Sequence, residues 1–378
     1  MMLLVERFPV RLAARASGAG GNRARQGRQM RTNRVLVAGK NQVYLEEIEI
    51  ADRPGPGEVM VETEATFISA GTELANYTGL DRNVNTPGSW CEYPWPSGYA
   101  NVGRVLQVGE EVEGFEVGER VFSFGKHQKV TFVTHGGPGL GVNAAGSLLV
   151  KVPESLDGAV AAACRMPLVA MSSLSNTEWR LNDTVGVWGL GMVGNMAAQL
   201  FQLAGCRVIG IDPAGFRRDL AQAVGIGAVA TPEPGEIRSQ MDSLGATGGL
   251  DIAIDAVGES AILAEAYKFV RRFGQLTLLG SPRREHVADM NPLLSHIHWS
   301  GLKLRGSLEW LIPLTPQTAI DESTLHNLET VFDLADRGRL LVEPLISHRM
   351  PPQDIERAYQ GLLNDKEHYS GVALIWED

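Results

Sequence analysis

The chain has 378 residues, a formal net charge of −10 at pH 7, 44% hydrophobic residues and 21% charged residues. This length predicts about two domains, and the composition is typical of a soluble globular protein with a sizeable core. The negative charge argues against nucleic acid or an anionic membrane surface as a partner, and no apolar run approaches the roughly 20 residues that span a bilayer. Three scattered cysteines without a CxxC pair argue against a disulfide framework and predict a cytoplasmic location.

The first 33 residues differ from the rest of the chain. They contain seven arginines and a single acidic residue, Glu6, and residues 13–27 are rich in Arg, Ala and Gly. Organelle transit peptides share this bias, and so do disordered extensions. We interpret residues 1–33 as a disordered Arg-rich extension, with a transit peptide as the alternative.

Residues 34–150 carry short runs rich in Val and Glu, separated by Gly and Pro. The alternation of apolar and polar residues predicts strands at 34–39, 58–68, 103–109 and 119–124. Many short strands with frequent turns favour a β-barrel-like domain.

After about residue 155, predicted strands and helices alternate, which indicates a parallel sheet wrapped by helices. The predicted strands are 184–188, 206–212, 250–255 and 275–280, and the predicted helices are 194–205, 216–225 and 261–274. Two more helices and a last strand follow, at 325–339, 352–363 and 371–377. We expect this final segment to complete the first domain, so that residues 34–160 and 315–378 form one domain and residues 161–314 a second, of the α/β class.

The strongest motif is Gly189-Leu190-Gly191-Met192-Val193-Gly194, which follows a predicted strand and begins a predicted helix. In that context a GxGxxG run is the fingerprint of a Rossmann doubly wound parallel sheet. Gly189 permits the tight turn, Gly191 lets a pyrophosphate approach the backbone, and Gly194 lets helix and sheet pack closely. The helix N-terminus offers free N–H groups to the phosphates.

The next predicted strand ends in Asp212, 23 residues after Gly189. An acidic side chain there accepts hydrogen bonds from the adenosine ribose, and it repels a 2′-phosphate, so NAD is favoured over NADP. Arg217 and Arg218 follow closely and are candidates for binding that phosphate. We prefer to interpret both as solvated residues in the first turn of the next helix.

The order of these parts resembles the medium-chain dehydrogenase/reductase superfamily, from about residue 34 to the C-terminus. "GTELANYTG" at 71–79, "VGEEVEGFEVGERV" at 108–121, "GLDIAIDAVG" at 249–258 and "RRFGQLTLLG" at 271–280 look like landmarks of that family. The resemblance implies a GroES-like catalytic domain beside the Rossmann domain, a small-molecule substrate and a homodimer or homotetramer. It adds Val257, Gly280 and Ser281 to the candidate cofactor-binding residues.

The departures from the zinc-dependent members of that superfamily are informative. The positions that match the three catalytic zinc ligands are occupied by Ala70, Tyr99 and Met166, none of which supplies a thiolate, imidazole or carboxylate. The four-cysteine structural zinc lobe is also missing. We therefore expect no zinc, with Cys164, His127 and His135 as the residues from which an unforeseen site would have to be built.

Within the superfamily, "ISAGTELANYTG", "PWPSGYANVGRV" and "GKHQ" are most similar to the zinc-free branch that contains bacteriochlorophyllide a dehydrogenase. That resemblance implies an oxidoreductase that transfers a hydride between NAD(H) and a secondary alcohol or ketone on a bulky substrate. The alternatives are an NADPH-dependent quinone or enone reductase and a non-catalytic dinucleotide-binding protein.

Without zinc, a side chain must polarise the substrate oxygen and exchange a proton with it. Tyr99 and His127 are the candidate proton donors or acceptors, because Tyr99 takes the place of a zinc-binding His and an imidazole titrates near neutral pH. Thr72 matches the family's proton-relay hydroxyl, Glu73 is a candidate base or orienting group, and Lys126 is a neighbouring cation. Each also has a structural interpretation: filling space, capping a turn, or forming an ordinary ion pair or hydrogen bond.

An aromatic group precedes this motif, at Trp90, Tyr93 and Trp95. It either walls the substrate cleft for a ring-bearing substrate or closes the small domain. The sequence leaves both interpretations open.

Overall fold

The computed structural model describes residues 28–135, 148–316 and 322–376. Most of the Arg-rich extension lies outside this range. Its predicted end at residue 33 is wrong, because the first strand begins at Gln29 and pairs with the second from that residue, Gln29 lying opposite Ala51.

The strands of the described chain form three sheets. In chain order they are β1 (Gln29–Gly39), β2 (Gln42–Ala51), β3 (Glu58–Phe67), β4 (Trp95–Pro96), β5 (Asn101–Val108), β6 (Arg120–Ser123), β7 (Val130–Thr134), β8 (Leu149–Lys151), β9 (Thr184–Trp188), β10 (Arg207–Ile211), β11 (Ala228–Ala230), β12 (Leu250–Asp255), β13 (Val270–Leu278), β14 (Lys303–Gly306), β15 (His348–Met350) and β16 (Val372–Ile375).

The helices pack against these sheets. In chain order they are α1 (Ala70–Tyr77), α2 (Gly158–Ala163), α3 (Arg165–Ser175), α4 (Met192–Leu203), α5 (Gly215–Ala223), α6 (Pro234–Ser243), α7 (Ser260–Ala266), α8 (Asn291–Ser300), α9 (Thr324–Asp336) and α10 (Ile355–Asn364).

The half expected to bind a nucleotide, which we call the nucleotide-binding half, contains a six-stranded parallel sheet with the order β11-β10-β9-β12-β13-β14. This is the doubly wound order, in which strands are added first on one side of β9 and then, from β12 on, on the other side. In such sheets ligands bind at the carboxyl ends of the strands where the order reverses. The expected α/β Rossmann sheet is confirmed.

The other half contains a three-stranded sheet, β2-β1-β4, and a seven-stranded sheet, β15-β16-β3-β5-β6-β8 with β7 also on β3. β16 pairs antiparallel with β3, Ala373 lying opposite Phe67, so the C-terminal strand belongs to the N-terminal sheet. The expected β-rich domain beside the Rossmann domain is confirmed.

One predicted helix is too long. The helix predicted at 261–274 ends at Ala266, and β13 begins at Val270, opposite Leu250 of β12. The apolar residues Phe269 and Val270 fit a buried strand as well as a helix, and the sheet decides between them.

The helical stretch of residues 158–175, which contains α2 and α3, is long and apolar enough to span a bilayer by composition alone. This corrects the expectation that no apolar run approaches that length. Within the fold 78% of the stretch is buried, as in a core helix of a globular protein. Its alanine-rich surface packs in the core that joins the two halves of the protein.

Candidate active site

The glycine-rich turn lies between β9 and α4, where the sequence places it. Gly189 has a φ of 91°, a conformation that favours glycine, and a Cβ on Gly194 would stand 1.8 Å from the Gly189 carbonyl oxygen. No side chain caps the N-terminus of α4, so the N–H groups of its first turn remain available to an anion. The turn therefore has the geometry to hold a pyrophosphate.

Asp212 follows β10 and fixes the conformation of this turn. One carboxylate oxygen accepts the Leu190 N–H at 2.8 Å and the other accepts the Ala214 N–H at 2.9 Å. Only 2% of Asp212 is exposed, and Arg217 lies 3.5 Å from the carboxylate. The carboxylate keeps lone pairs for a ribose, since each oxygen accepts more than one hydrogen bond. Arg217 partly neutralises the charge that would repel a 2′-phosphate.

The loops that follow β12 and β13 lie beside the glycine-rich turn. Val257 is 44% exposed, and a Cβ on Gly189 would stand 2.6 Å from its side chain. A Cβ on Gly280 would stand 2.2 Å from the Gly258 nitrogen, and one on Gly258 would stand 2.5 Å from the Ser281 carbonyl oxygen. The candidates Val257, Gly280 and Ser281 thus come together at the switch point of the sheet.

Glu73 occupies the first turn of α1 and is fully buried. One of its carboxylate oxygens accepts the Ser69 N–H at 2.7 Å, and the other contacts His127 Nε2 at 2.9 Å and accepts the Tyr359 hydroxyl at 2.6 Å. Burial opposes the ionisation of Glu73, but the charge of His127 and these hydrogen bonds hold its pKa below the ordinary 4.5. We call Glu73, His127 and Tyr359 the buried triad.

His127 is also fully buried, and its Nδ1 has no partner within the described residues. Neither His127 nor Glu73 can contact a substrate directly in this structure. Direct proton exchange between His127 or Glu73 and a substrate therefore stays a prediction that this conformation does not display. Their burial and their mutual hydrogen bond are the geometry of residues that position a site.

Tyr99 lies just outside the buried triad. Its hydroxyl donates to the Ser69 hydroxyl, and Thr72 interacts with the same phenol. Burial raises the pKa of Tyr99, although Arg165 and the two hydroxyls act in the opposite direction. Tyr99 is thus a neutral proton donor at neutral pH, with two hydroxyl groups beside it.

Gly98 places Tyr99 against the buried triad. It has a φ of 96°, and a Cβ there would stand 2.5 Å from the His127 nitrogen and 2.7 Å from its ring. Only glycine permits this backbone conformation together with this close approach.

Arg165 begins α3 and is fully buried. Its Nη1 donates to Glu309 Oε2 at 2.5 Å, its Nη2 donates to the other oxygen, and its guanidinium lies 4.9 Å from the centre of the Tyr99 ring. Phe124 and Trp310 lie on the same guanidinium, and both line a small pocket together with Leu168. The sequence offered one signal for Arg165: it is the single charged residue between residues 158 and 175.

Arg283, in the loop after β13, reaches the other half of the protein. Its guanidinium donates to the Gly71 carbonyl oxygen at 3.2 Å, lies 3.5 Å from the Thr72 hydroxyl and forms an ion pair with Asp81. No motif in the sequence pointed to Arg283. Arg283 therefore connects the nucleotide-binding half to Thr72, whose hydroxyl interacts with the Tyr99 phenol.

Lys126 and the aromatic group of Trp90, Tyr93 and Trp95 pack mainly within the small domain. Burial lowers the pKa of Lys126, against the influence of Glu73, and its Nζ lies 6.0 Å from the Trp95 ring. Trp95 is 2% exposed and belongs to the core of the small domain, whereas Trp90 is 44% exposed. Tyr93 donates its hydroxyl to the Asn76 carbonyl oxygen. Trp90 is therefore the aromatic residue of this group with the most surface available to a ligand.

Two family models match the chain on either side of the cleft. Residues 55–173 match the alcohol dehydrogenase GroES-like domain, and residues 192–317 match the zinc-binding dehydrogenase domain, so that together they cover about two thirds of the sequence. The chain belongs to the medium-chain dehydrogenase/reductase superfamily.

Curated and solved relatives of this superfamily member span nearly its whole length. L-threonine 3-dehydrogenase of Yersinia pestis is 24% identical over an alignment of 358 positions that covers 88% of this chain and 97% of that protein. An alcohol dehydrogenase from Thermotoga maritima has a TM-score of 0.74 at 18% identity, covering 92% of this chain and all of that one. An Escherichia coli alcohol dehydrogenase complexed with NADH has a TM-score of 0.71 at 21% identity, covering 92% and 99%.

A dehydrogenase of the zinc-binding type from Sinorhizobium meliloti, bound to NADP, has a TM-score of 0.72 at 20% identity and covers 92% of this chain and all of that one. These likenesses show the fold. They include one structure with NADH and one with NADP.

The residues present do not fit a catalytic zinc ion. Ala70, Tyr99 and Met166 occupy the matching positions, and the described residues contain no group of three His, Cys, Asp or Glu side chains able to hold a metal. Cys164 is fully buried, and burial strongly raises its thiol pKa, which disfavours the thiolate that zinc requires. His127 is already paired with Glu73.

Proposed function

We propose that this superfamily member is an oxidoreductase that transfers a hydride between NAD(H) and a secondary alcohol or ketone without catalytic zinc. The observation that carries the proposal is that Arg283, from the loop after β13 beside the glycine-rich turn, reaches the Thr72 hydroxyl, which interacts with the Tyr99 phenol. A nicotinamide held by that turn supplies or accepts the hydride.

The residues of the chain then have separate tasks. In ketone reduction, Tyr99 donates its proton to the substrate oxygen. The hydroxyls of Ser69 and Thr72, which contact the phenol, then relay a proton back to Tyr99. The buried triad fixes α1, which carries Thr72, through the bond from Ser69 to Glu73. Glu73 and His127 therefore support the reaction by positioning.

The side chains at the positions of the zinc ligands support a mechanism without zinc. A phenol can polarise a carbonyl oxygen by hydrogen bonding, a task that a metal ion performs by direct coordination. Tyr99 occupies the matching ligand position and has the required hydroxyl. Chelator-treated protein that keeps its full turnover and holds less than about one zinc per ten chains supports this, and loss of turnover restored by zinc contradicts it.

NAD remains the proposed cofactor because Asp212 follows β10 beside the glycine-rich turn, where an acidic side chain would accept hydrogen bonds from an adenosine ribose. Arg217, 3.5 Å from that carboxylate, favours the NADPH-dependent quinone or enone reductase as the second candidate. The exposed Trp90 supports a bulky substrate of the kind used by the bacteriochlorophyllide a dehydrogenase-like branch.

The first experiment is a thermal-shift assay of the protein with NAD, NADH, NADP and NADPH, since a ligand that binds only the folded state raises the melting temperature. A shift with NAD or NADH supports the proposal, and a shift with NADPH alone favours the reductase. Bulky secondary alcohols and their ketones are then screened by following NADH absorbance. A non-catalytic dinucleotide-binding protein is favoured if a cofactor binds but no compound in that screen is turned over, and if Tyr99→Phe shows the same cofactor-dependent thermal shift as the wild type.

We also propose that two copies associate through the nucleotide-binding half. β14 is an edge strand of its sheet, and Leu304 on that strand is 44% exposed. Leu294 and Trp299 of α8 are 56% and 77% exposed, and Leu311 is 69% exposed. An edge strand and exposed apolar side chains on the same half of a protein are each a common basis of homodimers.

Cys91, Cys164 and Cys206 are all free and buried. This supports the proposal that the protein works in the reducing cytoplasm.

A further inference from the structure

Arg165 has no task in the mechanism above, and its surroundings are unusual. Its guanidinium is fully buried, and its Nε has no hydrogen-bond partner within the described residues. A buried cation is costly unless something compensates it. Glu309 provides one partner, and the aromatic faces around the guanidinium provide the rest.

The rings are placed around the cation at similar distances. The guanidinium carbon lies 4.9 Å from the centre of the Tyr99 ring, 5.0 Å from Phe124 and 5.3 Å from Trp310. A cation so close to an aromatic face and away from water interacts strongly with it. Of these three rings only Tyr99 can become charged, so Tyr99 is the ring whose chemistry Arg165 can change.

Glu309 keeps Arg165 in place. Two parallel hydrogen bonds to the carboxylate fix the guanidinium plane, which is the bidentate geometry that Arg adopts and Lys cannot. Glu309 is 13% exposed on its side chain, whereas Arg165 is fully covered. The cation is therefore held in one orientation toward the Tyr99 ring.

We propose that Arg165 is a positioning residue that stabilises the phenolate formed when Tyr99 gives its proton to the substrate oxygen. This rests on the proposed ketone reduction. As the carbonyl carbon gains the hydride from the nicotinamide, the O–H bond of Tyr99 breaks and the O–H bond of the alcohol forms. The phenol oxygen keeps the electron pair, and the negative charge develops beside Arg165.

The other charged or titratable groups near the phenol work in the opposite sense. Glu73 repels a negative charge on Tyr99, and Tyr359 is a neutral phenol whose pKa burial raises well above the ordinary value, with Glu73 adding to the effect. The Ser69 and Thr72 hydroxyls favour the phenolate but carry no charge. Arg165 is thus the cation in direct contact with the Tyr99 ring that favours the phenolate, whereas Arg283 reaches the phenol only through Thr72.

The test follows the ionisation of Tyr99 itself. Replacing Tyr99 by a fluorinated tyrosine makes its phenol more acidic, so that it can be titrated by ¹⁹F NMR in folded protein. Arg165→Met is expected to move this titration to higher pH by about one unit or more, and Arg165→Lys to move it less. Retained thermal shift with NADH shows that each variant is folded. An unchanged titration in folded Arg165→Met overturns the proposal, and it does so even when no substrate is known.

Kinetics provide an independent readout once a ketone is turned over. Arg165→Met is expected to lower kcat by about 10- to 100-fold with little change in KM for NADH. In the Tyr99→Phe background the same change should have little further effect, because Arg165 acts through Tyr99. An equal loss in both backgrounds overturns the proposal. Failure of every ketone to react contradicts the proposed function, and in that case the titration alone decides whether Arg165 stabilises the phenolate.

Discussion

Tyr359 and Glu73 lie 286 residues apart in the chain and share a 2.6 Å hydrogen bond in a fully buried site. The same hydroxyl lies 3.1 Å from the Ser97 hydroxyl, just before Gly98 and Tyr99. The C-terminal helix α10 therefore helps to fix two segments of the candidate active site.

Removing that hydroxyl should destabilise the protein. Tyr359→Phe leaves Glu73 with one hydrogen bond fewer in a dry site, which costs about 1–3 kcal/mol of the free energy of unfolding. Urea unfolding measures the loss. Tyr369→Phe, on the same C-terminal segment and half-buried, is the control and should change the free energy by less than about 0.5 kcal/mol. Equal effects of the two variants would contradict this role of Tyr359.

The lowered pKa of Glu73 makes the stability of the protein depend on pH. Because the folded-state pKa lies below the ordinary 4.5, the stabilisation is fully present above about pH 4.5 and is lost as the pH falls through the folded value. Glu73→Gln should remove part of this acid dependence. Urea midpoints between pH 7 and pH 3 test this, with exposed Glu110→Gln as the control. An acid limb of unchanged steepness in Glu73→Gln would refute it.

Gly98→Ala should lower the free energy of unfolding by more than the positive φ at residue 98 alone would explain. The left-handed backbone costs about 1–2 kcal/mol for alanine, and the clash with His127 adds about as much again. Gly114 has a similar φ of 85° with open space around its Cβ, so Gly114→Ala is a matched control. Denaturant unfolding should show the larger loss for Gly98→Ala, and equal losses would show that contact with His127 is unimportant.

Arg217→Gln tests the choice of cofactor. The change removes a cation beside Asp212 and should weaken NADP binding about tenfold, with little effect on NAD. Calorimetric titration with both cofactors gives the ratio. The prediction fails if NADP affinity is unchanged, and an equal loss for both cofactors would place Arg217 at a phosphate that the two share.

Leu304→Asp tests the proposed association. A charge on the exposed edge of β14 should halve the molar mass measured by light scattering, because it would be buried unpaired between two copies. Val117→Asp changes a residue that is 68% exposed on the other half and is the control. A wild-type monomer, or a dimer that survives in Leu304→Asp, would contradict the proposed interface.

The nucleotide-binding half was the more predictable part of the molecule. Its strands are short, its helices follow at regular intervals, and the glycine-rich turn has a local signature whose geometry follows from Gly189 and Gly194. Parallel strands joined by helices in sequence order leave few topologies to choose from. The predicted helix at 261–274 was too long because a short apolar run does not show by its periodicity whether it forms a buried helix or a buried strand.

The candidate site was only partly predictable. Tyr99, Thr72 and Glu73 were found from motif positions close together in the chain, and the structure brings them together. Their environment comes from distant segments: Tyr359 from α10 and Glu309 from the turn after β14. Sequence alone gives no measure of burial, and burial is what removes His127 from direct contact with a substrate.

The position of β16 has a consequence for how the protein is made. Residues 372–375 lie between β15 and β3 in a sheet whose other strands, apart from β15, come from the first 151 residues. On the ribosome the nucleotide-binding half can be completed while that sheet still lacks two strands, and the exposed edge of β3 must wait for residues 372–375. The half that carries Tyr99 is therefore completed after the nucleotide-binding half, and a chain interrupted before residue 372 would carry a finished Rossmann domain beside an open sheet.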